Sequence, residues 1–75
     1  MAGTIPTPAT IQQGASGQTV KNAQGVLLAH GNNPQGLDGV FGQNTKTATQ
    51  AFQTAKGLPV DGIIGQMTWT ALVSS

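Results

Sequence analysis

The apolar residues of this chain fall into three short periodic stretches, separated by loops rich in glycine, asparagine and proline. Val20, Ala23 and Leu27 stand at i, i+3 and i+7. That spacing predicts one face of a helix running from Ser16, a good N-cap, to about His30. Gly25 lies inside this helix and Gly31 ends it. Ala48, Ala51, Phe52 and Ala55 fall at i, i+3, i+4 and i+7 and predict a second helix from about Gln43 to Lys56. Gly57 stops it and Pro59 prevents its continuation. Trp69, Leu72 and Val73 mark a short third helix, about Gln66 to Val73. Three helices with short loops leave no layer for a sheet, so the expected fold is all-α, a small three-helix bundle. The expected core is Ile11, Val20, Leu27, Leu37, Val40, Phe41, Ala48, Phe52, Leu58, Val60, Ile63, Ile64, Trp69 and Leu72.

Residues 1–9 contain Thr-Ile-Pro-Thr-Pro, whose two prolines favour an extended linker. Residues 10–75 form the expected domain. Within it one phrase occurs twice. From Asp38 the chain reads Asp-Gly-Val-Phe-Gly-Gln-Asn-Thr-Lys-Thr-Ala, and from Asp61 it reads Asp-Gly-Ile-Ile-Gly-Gln-Met-Thr-Trp-Thr-Ala. Seven of eleven positions are identical at an offset of 23 residues. Asp-Gly is a turn signal, because the Asp side chain bonds nearby backbone and Gly accepts positive φ. The two apolar residues that follow are expected to turn inward. Gly42 and Gly65 then turn the chain into a helix, through close packing or positive φ, and are expected to tolerate side chains poorly. Thr45 and Thr68 lie about three residues into each helix start, where a hydroxyl or a preceding polar group can satisfy free N–H groups.

These residues carry a family resemblance. Asp38-Gly39-Val40-Phe41-Gly42-x-x-Thr45, then Ala48, Ala51-Phe52-Gln53, then Gly57-Leu58-Pro59-Val60-Asp61-Gly62-Ile63-Ile64-Gly65-x-x-Thr68-Trp69-x-x-Leu72 resembles the peptidoglycan-binding domain of bacterial and phage cell-wall hydrolases. Upstream, Gly14, Ser16, Gly17, Val20, Gln24 and Leu27 extend it, so it covers roughly Thr10 to Val73. The chain departs from the family pattern at Ala23, His30 and Asn32. The resemblance implies a non-catalytic module that binds the stem peptide, the glycan or both, and holds an attached hydrolase on its substrate. It also implies action outside the cell or in the wall, and includes phage endolysins. The alternative reading is a structural or interaction module, or a pro-region, of the same fold without wall affinity.

Composition narrows the chemistry. Only 7% of the 75 residues are charged: three Lys, two Asp, no Arg and no Glu. Lys21, Lys46 and Lys56 are dispersed, which argues against nucleic acid. No run approaches membrane-spanning length, and residues 1–10 lack the basic start and apolar core of a signal peptide. Catalysis needs convergent ionisable groups, and the chain offers His30, Asp38 and Asp61 alone. His30 at a helix end reads as a cap, and the two Asp read as turn residues. With no Cys, no Glu and one His, neither a zinc nor an EF-hand site can be assembled, so no metal or cofactor is expected. What remains is a neutral polar surface of amides and hydroxyls. The expected ligand contacts are Asn32, Gln43, Asn44, Thr45, Gln66 and Thr68, on a groove rimmed by the two repeat loops. Trp69 reads as core rather than as a sugar-stacking platform. The chain is expected to act as a monomer joined to a catalytic domain.

Overall fold

The three helical stretches fold as helices. The computed structural model describes residues 8–74, and the linker expected over 1–9 lies almost wholly outside them. The helices are α1 (Gln18–Ala29), α2 (Gln43–Lys56) and α3 (Gln66–Ser74), with α1 packed against both others. Among the described residues there is no strand, only isolated antiparallel bridges joining Ile11 to Ile64 and Ser16 to Val40. The starts of α2 and α3 keep the offset of the sequence repeat.

Helix boundaries follow glycine chemistry more than side-chain caps. Gly17, not Ser16, precedes α1, and no side chain caps it. Ser16 is occupied in the bridge to Val40. At the other end Gly31 N–H donates to Leu28 O and Asn32 N–H to Leu27 O, both at 2.9 Å, with Gly31 at φ 88. Leu58 N–H donates to Gln53 O at 2.9 Å past Gly57, φ 70, at the end of α2. These reversed bonds satisfy the last carbonyls of each helix. His30 caps a different helix from the one it ends. Its Nε2 lies 2.8 Å from Leu72 O, near the end of α3, and its ring meets Phe52 edge-on at 5.1 Å.

The core consists of Ile11, Val20, Ala23, Leu27, Phe41, Ala48, Phe52, Ile64, Trp69 and Leu72. Trp69 is core, and its indole N–H donates to Ala9 O at 3.1 Å, tying the arm that precedes α1 to α3. That arm crosses both repeats at equivalent places. Ile11 exchanges backbone bonds with Ile64 (3.1 and 2.9 Å), while Gly14 N–H donates to Phe41 O and Phe41 N–H to Ala15 O, both at 2.9 Å.

Three expected core residues are exposed: Leu37, Val40 and Val60. Leu37 and Val60 occupy the same repeat position, just before the Asp. Val40 is excluded because neighbours in extended backbone point to opposite sides. Phe41 and Ile64 turn inward; Val40 is 54% exposed and Ile63 is half-buried. On α2 the apolar stripe is also rotated from its expected place. Ala51 and Ala55 are exposed, and Thr45, Ala48, Thr49, Phe52 and Gln53 form the inner face. Polar residues replace alanine there because each finds a partner. Thr49 Oγ1, for example, donates to Thr45 O at 2.8 Å.

Two glutamines organise the repeats. Gln24 and Gln53 are each 1% exposed. Gln24 Nε2 lies within hydrogen-bond range of Asp38 Oδ1 (3.1 Å), Val40 O (3.0 Å) and Thr45 Oγ1 (3.0 Å), and its Oε1 accepts from Gly39 N–H (2.9 Å). Gln53 makes the same set with Asp61 Oδ1 (2.8 Å), Ile63 O (3.0 Å), Thr68 Oγ1 (3.2 Å) and Gly62 N–H (3.0 Å). Each Asp Oδ1 also accepts from the residue two ahead, Val40 N–H at 3.0 Å and Ile63 N–H at 2.9 Å. The Val40 N–H, and after it the Gln24 amide, hold the Asp38 carboxyl below its ordinary 3.8. Ile63 N–H and then Gln53 do the same for Asp61.

The glycines that the turns require are Gly39 and Gly62, not Gly42 and Gly65. Gly39 and Gly62 sit at φ 75 and 73. A Cβ on Gly39 would lie 3.1 Å from Gly17 O, and one on Gly62 would lie 3.0 Å from Lys46 Cγ. Gly42 has φ −102 and open space where a Cβ would stand, and the nearest atom to one on Gly65 is Thr10 Oγ1 at 3.8 Å.

Three outcomes follow for stability. Gly62→Ala should destabilise by about 1–2 kcal/mol, the cost of a left-handed L-residue. Gly42→Ser, at an extended N-cap position, should be neutral or stabilising by a few tenths. Equal losses by chemical denaturation would show that the two turns carry the same constraint. Gln53→Leu should cost more than about 2 kcal/mol, because it strands Thr68 Oγ1, Ile63 O and Gly62 N–H; a near-native midpoint would disprove the hub. A carboxyl whose folded pKa is depressed contributes stability above its ordinary pKa, and this is lost as pH falls through the folded value. Melting temperature should therefore hold steady above about pH 5 and fall below pH 4. Asp38→Asn with Asp61→Asn should flatten that acid limb; an unchanged slope would remove the two Asp as its cause.

Candidate functional site

Each repeat builds a small notch where its loop meets a helix start. The first, about 180 Å³, is lined by Asp38, Val40, Gly42, Gln43, Asn44 and Thr45, with Pro34, Gln35 and Gly36 as an outer wall. The second, about 230 Å³, is lined by Asp61, Ile63, Gly65, Gln66, Met67 and Thr68, with Pro59 beside them. Seven positions correspond between the notches at the repeat offset, Gly36 with Pro59 among them. The expected single groove is thus resolved into two recesses with no lining residue in common.

Local folding explains each recess. The hub glutamine draws the loop inward through its Asp and Gly, and Val40 or Ile63 is left facing out as a wall. The loop then enters its helix through glycine. Lys46 N–H donates to Gly42 O at 3.0 Å, and Trp69 N–H donates to Gly65 O at 2.9 Å. No side chain caps α2, whose first residues line the recess, so its first-turn N–H groups lack a side-chain partner, and a helix start of this kind favours negative or electron-rich ligand groups. Asp38 and Asp61 use one carboxylate oxygen, Oδ1, in the turn. Their depressed pKa keeps both ionised near neutral pH.

Five of the six expected contact residues lie at the notches. Gln43, Asn44 and Gln66 are exposed there, with Gln43 Nε2 held 3.2 Å from Thr47 Oγ1. Thr45 and Thr68 are buried, their hydroxyls engaged by Gln24 and Gln53, so they shape the recess from beneath and present backbone rather than hydroxyl. Asn32 lines neither notch, and its Nδ2 lies 3.5 Å from His30 O.

The sequence reading missed two contributors. The hub glutamines stood in the family pattern without a role. Gln35 lies in the polar loop between α1 and the first repeat. It adopts φ 63, and it is the one non-glycine at positive φ among the described residues. Its N–H donates to Asn33 Oδ1 at 2.7 Å. Such a conformation costs about 1–2 kcal/mol and is held in place by its surroundings.

Comparison with known proteins agrees with this geometry. The peptidoglycan binding domain family model matches residues 16–72. The spore cortex-lytic enzyme of Bacillus cereus is 45% identical over 65 residues, covering 87% of this chain and 25% of that protein. The chain thus spans about a quarter of the length of that relative. Among solved structures, the SleB N-terminal domain superposes with a TM-score of 0.83 at 45% identity, covering 85% of this chain and 88% of that one. The Burkholderia AP3 phage endolysin gives 0.84 at 37% identity, covering 87% of this chain and 25% of that one. With the family model matching a span that runs through both repeats and includes Gln24 and Gln53, this chain belongs to the peptidoglycan-binding domain family.

Proposed function

We propose that this chain is the wall-binding, non-catalytic module of a cell-wall hydrolase, and that it meets peptidoglycan through its two repeat notches. The observation that carries the reading is the duplicated recess on a chain of this family, with neutral hydrogen-bonding groups at both rims. Gln43, Asn44 and Gln66 would contact ligand by side chain, and Thr45 and Thr68 by backbone. Amides offer donors and acceptors without charge, which suits N-acetylated sugars and short peptides. The first-turn N–H groups of α2 suit a stem-peptide carboxylate. Individual contacts of this kind are weak. An attached catalytic domain gains instead from effective concentration, since even a weak tether keeps it beside a dense polymer. The site of action would be the cell wall, as the names of its relatives suggest for them: one a spore cortex-lytic enzyme, another a phage endolysin.

The isolated chain should co-sediment with purified insoluble wall. Recovery in the supernatant at all wall concentrations would favour a structural module of the same fold. With only five charged residues, raising salt from low to moderate should change the bound fraction little. The double substitution Gln43→Ala and Gln66→Ala should weaken binding by about 0.5–1.5 kcal/mol per lost hydrogen bond, with the melting temperature unchanged. Full binding by that variant would place the ligand elsewhere.

A further inference from the structure

The two notches are equivalent in origin but not in chemistry. Two differences separate them. First, the hub glutamine precedes its Asp by 14 positions in the first repeat and by 8 in the second. The longer connection brings Gln35 and its neighbours to the wall of the first notch, where the second has Pro59. Second, Asn44 in the first repeat is replaced by Met67 in the second, and Met67 is 61% exposed. Beyond Met67 the surface continues into a shallow apolar recess of about 470 Å³, lined by Gln66, Met67, Thr70 and Ala71. The first notch thus gathers amides around a carboxylate. The second keeps the equivalent carboxylate of Asp61 and, together with the recess beyond it, sets an amide and a hydroxyl beside a thioether and a methyl. Among the described residues neither the Gln66 nor the Thr70 side chain has a hydrogen-bond partner, whereas Gln43 is tied to Thr47.

Resting on the wall-binding reading above, we propose that the domain carries two ligand sites of different specificity, one per repeat. The first takes the stem peptide: Gln35 and Asn44 meet its amides, and the Asp38 oxygen not used in the turn meets an ammonium group. The second takes the acetamido group of an N-acetylated sugar. That group has one N–H, one carbonyl and one methyl. Gln66 and Thr70 match the polar pair, and Met67 with Ala71 covers the methyl. A single domain would then grip one polymer at its peptide and at its glycan. Loss of either contact would leave the other attached.

The test uses the labelled 75-residue chain and two probes, a short N-acetylglucosamine oligomer and a free stem tripeptide ending in a diamino acid. The sugar should shift amide signals over 66–71 and the tripeptide those over 35–45, and each should bind undiminished in the presence of the other. Met67→Asn should weaken the sugar by at least about fourfold, the scale of one lost methylene-sized contact, and leave the tripeptide unaffected. Asn44→Met should weaken the tripeptide alone. Both positions are solvent-facing, and unchanged melting temperatures would confirm that fold is not the cause. Competition between the probes, one notch answering both, or a sugar response indifferent to Met67→Asn would overturn the assignment. A domain that sediments with wall yet answers neither probe would sink this inference and leave the wall-binding reading standing. A domain that fails to sediment would remove the reading beneath it.

Discussion

Four polar partners around each buried carboxamide hold this protein's loops in place. Gln24 and Gln53 are enclosed to within 1% of full burial. A primary amide in that setting must find partners for its donors and its acceptor, or it destabilises the fold. It finds them in one Asp side chain, one loop carbonyl, one Thr hydroxyl and one Gly N–H. In a low-dielectric interior such a set is strong when complete and costly when broken. Among the described residues no buried side-chain polar atom lacks a partner. The hub therefore fixes the loop's path, the direction of Val40 or Ile63, and the place where the next helix begins.

The two hubs share α2. Thr45, near its start, completes the first hub, and Gln53, eight residues further on, is the second hub itself. That distance is about 12 Å of helix axis, or a little over two turns. One helix thus serves as the second element of the first unit and the first element of the second. The arm before α1 joins them again, pairing its backbone with Phe41 in one repeat and Ile64 in the other. Neither unit is complete alone, which is how a chain this small supports two recesses on one core.

Sharing a scaffold frees the rims to differ. The inward positions of both repeats are held by the hubs and by packing. The outward positions, Asn44 against Met67 and Gly36 against Pro59, carry no such duty. Helix entry through glycine has a related consequence. A Ser or Asp at position 42 would use its side chain to occupy the N–H groups of α2. Gly42 leaves them without a side-chain cap at the edge of the recess, and the stability a cap would add is forgone.

The sequence by itself determined the helix count, the helix starts at Gln43 and Gln66, the burial of Trp69 and the existence of a repeated turn. These rest on local signals: apolar period, glycine after a helix, and Asp-Gly. It also determined the family, because the order of motifs is specific even where each is weak. Tertiary structure decided what local signals do not encode. Polar Gln24, Thr45, Thr49, Gln53 and Thr68 went inside, and apolar Leu37, Val40 and Val60 stayed out. Hydropathy scores a side chain's cost of burial without its partners. A glutamine with four partners is at home in a core, and a valine next to an inward Phe41 must face the other way. The single expected groove became two notches for the same reason. Each loop is drawn to its own glutamine, and nothing in a linear sequence says which distant amide a turn will bind.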